Sequence, residues 1–335
     1  MAAKAKAPPV PDAIAGANGS LRVARAGGAD LTVGEGHVLD IQRARILAAM
    51  VEECAERGVA NVSVAHVVGR AGVSRRTFYE IFSDGEDCFL GAFDEGIARA
   101  SRYVLDSHDP SAGWAERLRT GLLGLLAFLD VERGIGRLLI VGSLGAGAPA
   151  MERRRRVLSQ IIALVDEGRS QSKTGNDLPP LTAEGIVGGV VSVLHARLLE
   201  DDSGRLVELA GPLMSTIVLP YLGPAAARRE LARPAPVAPR MPESIASDPL
   251  RRLRMRLTYR TVRVLLAVAA TPGGSNRQVA DAAGIGDQGQ ISKLLSRLHR
   301  LGLIENTGAP TTRGAPNAWV LTDRGWEVQA ALASR

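Results

Sequence analysis

The stretch from Ser63 to Phe82 leaves this chain little freedom of fold. Ser63 can accept a backbone hydrogen bond and open a short helix whose apolar positions Val64, Val67, Val68 and Ala71 recur at helical spacing. Gly72 follows directly and can supply the left-handed backbone that ends a helix, after which Ser74 can cap another short helix carrying Phe78. Two short helices around one glycine turn form the arrangement that sets a recognition helix in a DNA major groove. The spacing specifies a geometry and not a ligand. Upstream, Ile41, Ile46, Leu47, Met50, Val51 and Cys54 mark a first helix, which Gly58 stops after Arg57.

The residue types add chemistry to that geometry. Gly72-Val73-Ser74-Arg75-Arg76-Thr77-Phe78-Tyr79, followed by Phe82, resembles the TetR family of bacterial repressors. The resemblance implies that Ala71, Phe78 and Phe82 are core residues. It also implies that Ser74, Arg75, Arg76, Thr77, Tyr79 and Glu80 face DNA, with Ser63 opening the preceding helix. A hydroxyl and two guanidinium groups beside the free amides of a helix start suit phosphate, while Arg76 can alternatively grip guanine. Which arginine reads a base stays open. The chain departs from the family at Ser83-Asp84-Gly85-Glu86, where members commonly carry a lysine that Gly85 cannot replace. Residues 1–90 carry a net charge of only −1, so this domain (37–85) is expected to bind weakly or with help from elsewhere.

The middle, 86–223, reads as helices over about 86–106, 112–129, 131–142, 149–169, 182–200 and 204–221. The resemblance implies a bundle with a ligand pocket, whose last two helices pair with their copies in a second subunit. Ile186, Val190, Val193, Leu194 and Leu198 form one stripe, with Gly185, Gly188 and Gly189 permitting close approach. Leu206, Leu209, Leu213, Ile217 and Tyr221 form another; internal core is the alternative reading of both stripes. Phe93, Tyr103, Trp114, Phe128, Met151 and His195 are candidate pocket residues for a possible small-molecule effector of unknown identity. Arg153 to Arg156 span a full turn and read as solvated surface.

Residues 224–250 carry Pro224, Pro234, Pro236, Pro239, Pro242 and Pro249 and read as a linker. Beyond it the charge changes: residues 223–335 carry +9, against −2 for 91–222. Such a concentrated basic field suits a polyanion. Arg251, Arg252, Arg254, Arg256, Arg260 and Arg263 crowd the entrance to a module spanning 251–335. Its first helix runs through Leu257, Val262, Leu265, Leu266 and Val268. Ser275 then caps a short helix, Gly284-Ile285-Gly286 turns, and Asp287 caps a longer helix through Leu301. Leu303-Ile304-Glu305-Asn306 and Ala318-Trp319-Val320-Leu321 have strand character, joined by a loop with Arg313.

The run Gln290-Ile291-Ser292-Lys293-Leu294-Leu295, then Leu298, Leu301-Gly302-Leu303-Ile304 and Leu321-Thr322, resembles winged-helix regulators of the MarR type over about 256–328. Ile291, Leu294, Leu295 and Leu298 take the spacing of its buried face. Gln288, Gln290, Ser292, Lys293, Ser296, Arg297 and Arg300 remain for nucleic acid, and Arg313 for a minor groove. A protein-contact role for the wing is the alternative.

Other chemistries lack their patterns. No phosphate loop, paired-histidine metal motif or nucleophile elbow is present, and His37, His66, His108, His195 and His299 are scattered. Cys54 and Cys88 are too few for a disulfide framework and suit a reducing compartment. The longest uncharged run, Leu209 to Ala227, is broken by three prolines, and no apolar run is expected to span a membrane. Residues 1–36 lack a secretory core and read as a flexible tail. The expectation is a mainly α, cytoplasmic, homodimeric DNA-binding transcriptional regulator, without cofactor or catalytic residues. A ligand-responsive repressor is favoured, with an interaction scaffold and an enzyme as rivals.

Overall fold

The computed structural model describes residues 21–24, 30–33, 35–105, 109, 111–172, 178–200, 204–234, 259–308 and 317–333. The chain divides into two compact units, residues 42–256 and residues 1–41 with 257–335.

Helix α1 (Glu35–Arg57) is followed by α2 (Val64–Ala71), α3 (Arg75–Ile81), α4 (Gly85–Leu105) and α5 (Trp114–Val131). A short α6 (Arg133–Gly136) runs on through a π-type turn, Arg137–Val141, and a 3-10 turn, Gly142–Leu144. Then come α7 (Ala148–Asp166), α8 (Thr182–Leu199) and α9 (Ala210–Ala232). The expected mainly helical architecture is found, with boundaries close to those read from periodicity. One apolar core joins Phe78 and Phe93 to Phe128, Leu138, Leu194 and Met214, each less than 2% exposed. Burying each such side chain favours folding by about 1.5–3 kcal/mol.

Helix α9 is two arms rather than one rod. Gly223 sits at φ 78°, ψ 178°, a backbone region that essentially only glycine occupies. The arm 224–232 folds back on 210–222 so closely that a Cβ on Gly211 would lie 3.2 Å from the Glu230 carbonyl oxygen. Arg119 of α5 holds the returning arm through Glu230 at 2.7 Å, and Arg233 bonds Glu116 at 2.8 Å.

Three expectations are corrected here. The segment read as a linker from 224 is helical to Ala232, because Pro224 falls in the first turn after Gly223, where a missing N–H costs nothing. Within the segment read as a tail, β1 (Leu21–Ala24) and β2 (Asp30–Val33) pair antiparallel, Leu21 opposite Val33, and β1 lies beside α10 (Tyr259–Ala270). Leu21, Val23, Leu31 and Val33 alternate with Arg22 and Thr32, a period-two signal lost inside Ala/Gly-rich sequence. Finally, Thr182–Leu199 and Leu206–Ala232 are long and apolar enough, by length and composition, to cross a membrane. The fold-back leaves 210–222 of the second as a straight arm of about 20 Å, short of a hydrocarbon core of about 30 Å.

In the other unit, α10 precedes α11 (Asn276–Ala283), α12 (Gln288–Arg300), β3 (Ile304–Asn306), β4 (Trp319–Leu321) and α13 (Asp323–Ala333). β3 and β4 pair antiparallel with Ile304 opposite Leu321, and Gly274 bridges to Trp319 at the ribbon's other edge. Val264, Leu265, Val279, Ile291, Leu295 and Val328 fill the core. This is a helix-turn-helix followed by a two-stranded wing.

Gly223→Ala is expected to lower stability by about 1–3 kcal/mol, as a strained backbone and not a clash, since no atom lies within 4 Å of the added Cβ. Thermal and urea melts of the full chain read the loss.

Candidate nucleic-acid interface

The α2–α3 pair is set by local hydrogen bonds at every boundary. The Ser63 hydroxyl accepts the His66 N–H at 3.3 Å, and His66 Nδ1 accepts the Ser63 N–H at 3.3 Å, a reciprocal capping box. Gly72 closes α2 at φ 64°, and the Ser74 hydroxyl accepts the Thr77 N–H at 3.0 Å to open α3. Between the helices, Val67, Ala71, Val73, Phe78 and Phe82 are buried. Phe78 stacks tilted on Phe82 at 5.8 Å, and the Arg43 guanidinium lies over Phe82 at 5.6 Å.

A charged hub, not foreseen from the sequence, ties α2 to α1. Arg70 reaches Glu53 at 2.5 Å, Glu52 at 3.2 Å, and also Glu56; Arg57 meets Glu53 from the other side at 2.5 Å. Burial raises the Glu53 carboxyl, but hydrogen bonds from Arg70 and Arg57 outweigh it and hold the group below the usual carboxylate range. The available signal was three glutamates on one α1 stretch with a lone arginine on α2; nothing local pairs them.

With Phe78 inward, Arg75, Arg76, Tyr79 and Glu80 are exposed on α3, Tyr79 at 57%. Ser74 and Thr77 are half-buried, their hydroxyl oxygens 2.9 Å apart, and Ser63 is exposed with its hydroxyl engaged as a cap. Arg76 is bound to Glu80 at 2.8 Å, a solvent-screened pair, whereas no carboxylate pairs with Arg75 among the described residues.

The second helix-turn-helix repeats this construction. Ser275 and Gln278 form a capping box, Gly284 closes α11 at φ 60°, and Asp287 accepts the Gln290 N–H at 3.1 Å to open α12. Ile291, Leu295 and Leu298 are buried, while Leu294 is half-buried rather than core. Gln288, Lys293, Ser296, Arg297 and Arg300 are exposed, the last four at three- and four-residue spacing on one face; Gln290 and Ser292 are half-buried. Arg313 and the arginines at 251, 252, 254 and 256 lie outside the described residues.

The bundle sorts its candidates differently. Phe93, Trp114 and Phe128 are buried, Tyr103 and His195 are half-buried, and Met151 is 43% exposed, outside any enclosed wall. Tyr103 packs edge-on against Phe128 at 5.4 Å, and its buried hydroxyl has no hydrogen-bond partner. Trp114 packs against Tyr221 at 5.2 Å and donates its indole N–H to the Leu164 carbonyl at 2.9 Å. An open cleft of about 600 Å³ lies over Trp114 between Arg117 and Arg169. Of the residues expected at a subunit interface, Leu194, Leu213, Ile217 and Tyr221 are covered by the chain's own core. Ile186 and Val190 are half-buried, and Val193 is exposed. Burial pushes the Cys54 and Cys88 thiols up to about 12, which keeps them as packing groups. Among the described residues, no group of three or more His, Cys, Asp or Glu is placed to hold a metal ion.

Residues 46–92 match the family of bacterial regulatory proteins of the tetR type, so this stretch is a TetR-family helix-turn-helix DNA-binding domain. No curated protein matches the chain. Among solved structures, the fatty acid degradation regulator FadR from Bacillus halodurans is similar at 20% identity and a TM-score of 0.47, over 52% of this chain and 94% of that one. A TetR-like transcriptional regulator from Rhodococcus sp. RHA1 gives 20% and 0.45, over 53% and 94%. FadR from Bacillus subtilis in complex with stearoyl-CoA gives 18% and 0.45, over 52% and 97%.

Because its folded carboxyl is lowered, Glu53 contributes stability that is present above its ordinary value of 4.5 and lost as pH falls below it. Glu53→Gln is therefore expected to destabilise by about 2 kcal/mol at pH 7, with the difference from wild type shrinking as pH falls below 4.5 in melts across the acid range.

Proposed function

We propose that a chain with this TetR-family reader is a homodimeric, ligand-responsive repressor of transcription whose C-terminal winged helix, of the MarR type, is a second DNA reader. The observation that carries the reading is α3 itself. It turns Phe78 into the core and Arg75 and Tyr79 outward, inside the stretch that matches the family. Arg75, without a carboxylate partner among the described residues, is the better candidate for direct DNA contact; Arg76 must first leave Glu80. The site of action is the cytoplasm, where DNA is accessible.

Dimerisation is supported by α8, an apolar helix with only 22% of its residues buried. Gly185, Gly188, Gly189 and Val193 are exposed along it, and Leu219 and Leu222 are exposed on α9, a surface that water disfavours. The partnerless Tyr103 hydroxyl beside Phe128 supports an effector inside the bundle, since a buried orphan donor is costly without a ligand or water. The four exposed polar and basic residues on one face of α12, in a segment of net charge +9, support the second reader. Trp326, 43% exposed on α13, favours protein contact by the same unit as the second reading.

Operator sequences selected from fragmented genomic DNA with the full chain provide the test. Arg75→Ala is expected to weaken binding about tenfold and to lower the slope of log K against log salt by about 0.9 for each phosphate no longer neutralised. Lys293→Ala with Arg297→Ala is expected to do likewise if α12 reads DNA; unchanged affinity and slope would remove that role. Val193→Glu is expected to yield monomers in sedimentation and to abolish recovery of palindromic sites.

A further inference from the structure

Asn276, the first residue of α11, joins three elements. Its side-chain carbonyl accepts the Trp319 indole N–H at 2.7 Å and the Asn317 amide N–H at 3.0 Å, while its own amide donates to the Ser292 hydroxyl at 3.3 Å. Asn317 in turn accepts from the Asn306 amide at 2.8 Å. The Asn306 carbonyl accepts the backbone N–H groups of Ala318 at 2.9 Å and Gly308 at 3.1 Å. A line of polar side chains thus runs from α12 through the start of α11 into both arms of the wing.

The wing does not need this line merely to fold. Ile304, Trp319 and Leu321 are buried in the core, and β3 and β4 have their own ladder. Trp319 also packs edge-on against His299 at 5.7 Å, and His299 Nδ1 lies 3.0 Å from the Ile304 carbonyl oxygen. What the asparagines add is direction. A ribbon of two three-residue strands holds its own twist and tilt weakly, and a satisfied network anchored on a helix removes that freedom. Ser292, expected from sequence as a DNA contact, has its hydroxyl oxygen committed to this network.

We propose that Asn276 is a positioning residue which locks the wing arms to α12, so that helix and wing meet one duplex at a fixed spacing. This rests on the reading of α12 as a DNA-contacting helix. Its effect is preorganisation: the spacing is set before binding, and no ordering cost is met on the DNA.

The test uses the full chain on its selected operator, with guanine-N7 methylation protection for the major groove and hydroxyl-radical cleavage for the minor groove. Protection by α12 is identified as that removed by Lys293→Ala with Arg297→Ala. In Asn276→Ala, this major-groove protection persists, the adjoining minor-groove protection by the wing is lost, and affinity falls about tenfold. Trp319 emission moves to the red as its N–H turns to water. Asn317→Ala, which leaves the Asn276 bonds to Trp319 and Ser292 intact, loses the same minor-groove protection with Trp319 emission unchanged. It decides the matter alone if Asn276→Ala does not fold. Wild-type protection in both grooves by a folded variant overturns the positioning role and leaves DNA reading standing. A wild-type chain with no protection assignable to α12 overturns both.

Discussion

The outward face of α3 exists because Phe78 is buried. A seven-residue helix has little stability of its own. Its orientation is therefore set by the one large ring it buries, Phe78, which packs on Phe82 in the core that also holds Ala71 and Val73. The period of the helix then forces Arg75, Arg76, Tyr79 and Glu80 away from that ring. Arg70 supplies the complementary restraint. By gathering three carboxylates of α1, it fixes the rotation of α2, and through the Gly72 turn that of α3. Apolar contact sets the depth of the reader, and ion pairing sets its angle.

The same hub directs charge inward in a domain that is already nearly neutral by composition. Arg70 faces α1 and its glutamates, so its charge is spent inside the domain and adds little to the field that DNA would meet. On α12, by contrast, Lys293, Arg297 and Arg300 stand on a face with no acidic residue in the same helix. The two helix-turn-helix elements share one local grammar of serine cap, left-handed glycine and second cap, and differ in how their charge is deployed.

That grammar was legible because each of its bonds closes over three or four residues: Ser63 to His66, Ser74 to Thr77, Ser275 to Gln278, Asp287 to Gln290. Helix periods were legible for the same reason. Pairings over longer loops were not, as between Arg70 and Glu53 or between Asn276 and Trp319, since a lone arginine or asparagine carries no address for its partner. The stripe of Leu213, Ile217 and Tyr221 shows a different limit. Helical spacing reports that a face is covered and is silent on whether the cover is the same chain or another. The fold-back at Gly223 was hidden because glycine before proline reads equally as a break into a linker.

That fold-back also moves the point from which the connecting segment departs. Arg233 is pinned to Glu116 and Glu230, so the segment that leads to Tyr259 starts from residue 234 and not from 224. Whatever its conformation, a segment covering 234–258 cannot extend beyond roughly 90 Å at about 3.5 Å per residue. Each residue drawn into the returning arm takes about 3.5 Å from that maximum, so the glycine at 223, by turning the chain into a further helical arm instead of releasing it, sets how far α10 can lie from the end of α9 along the chain.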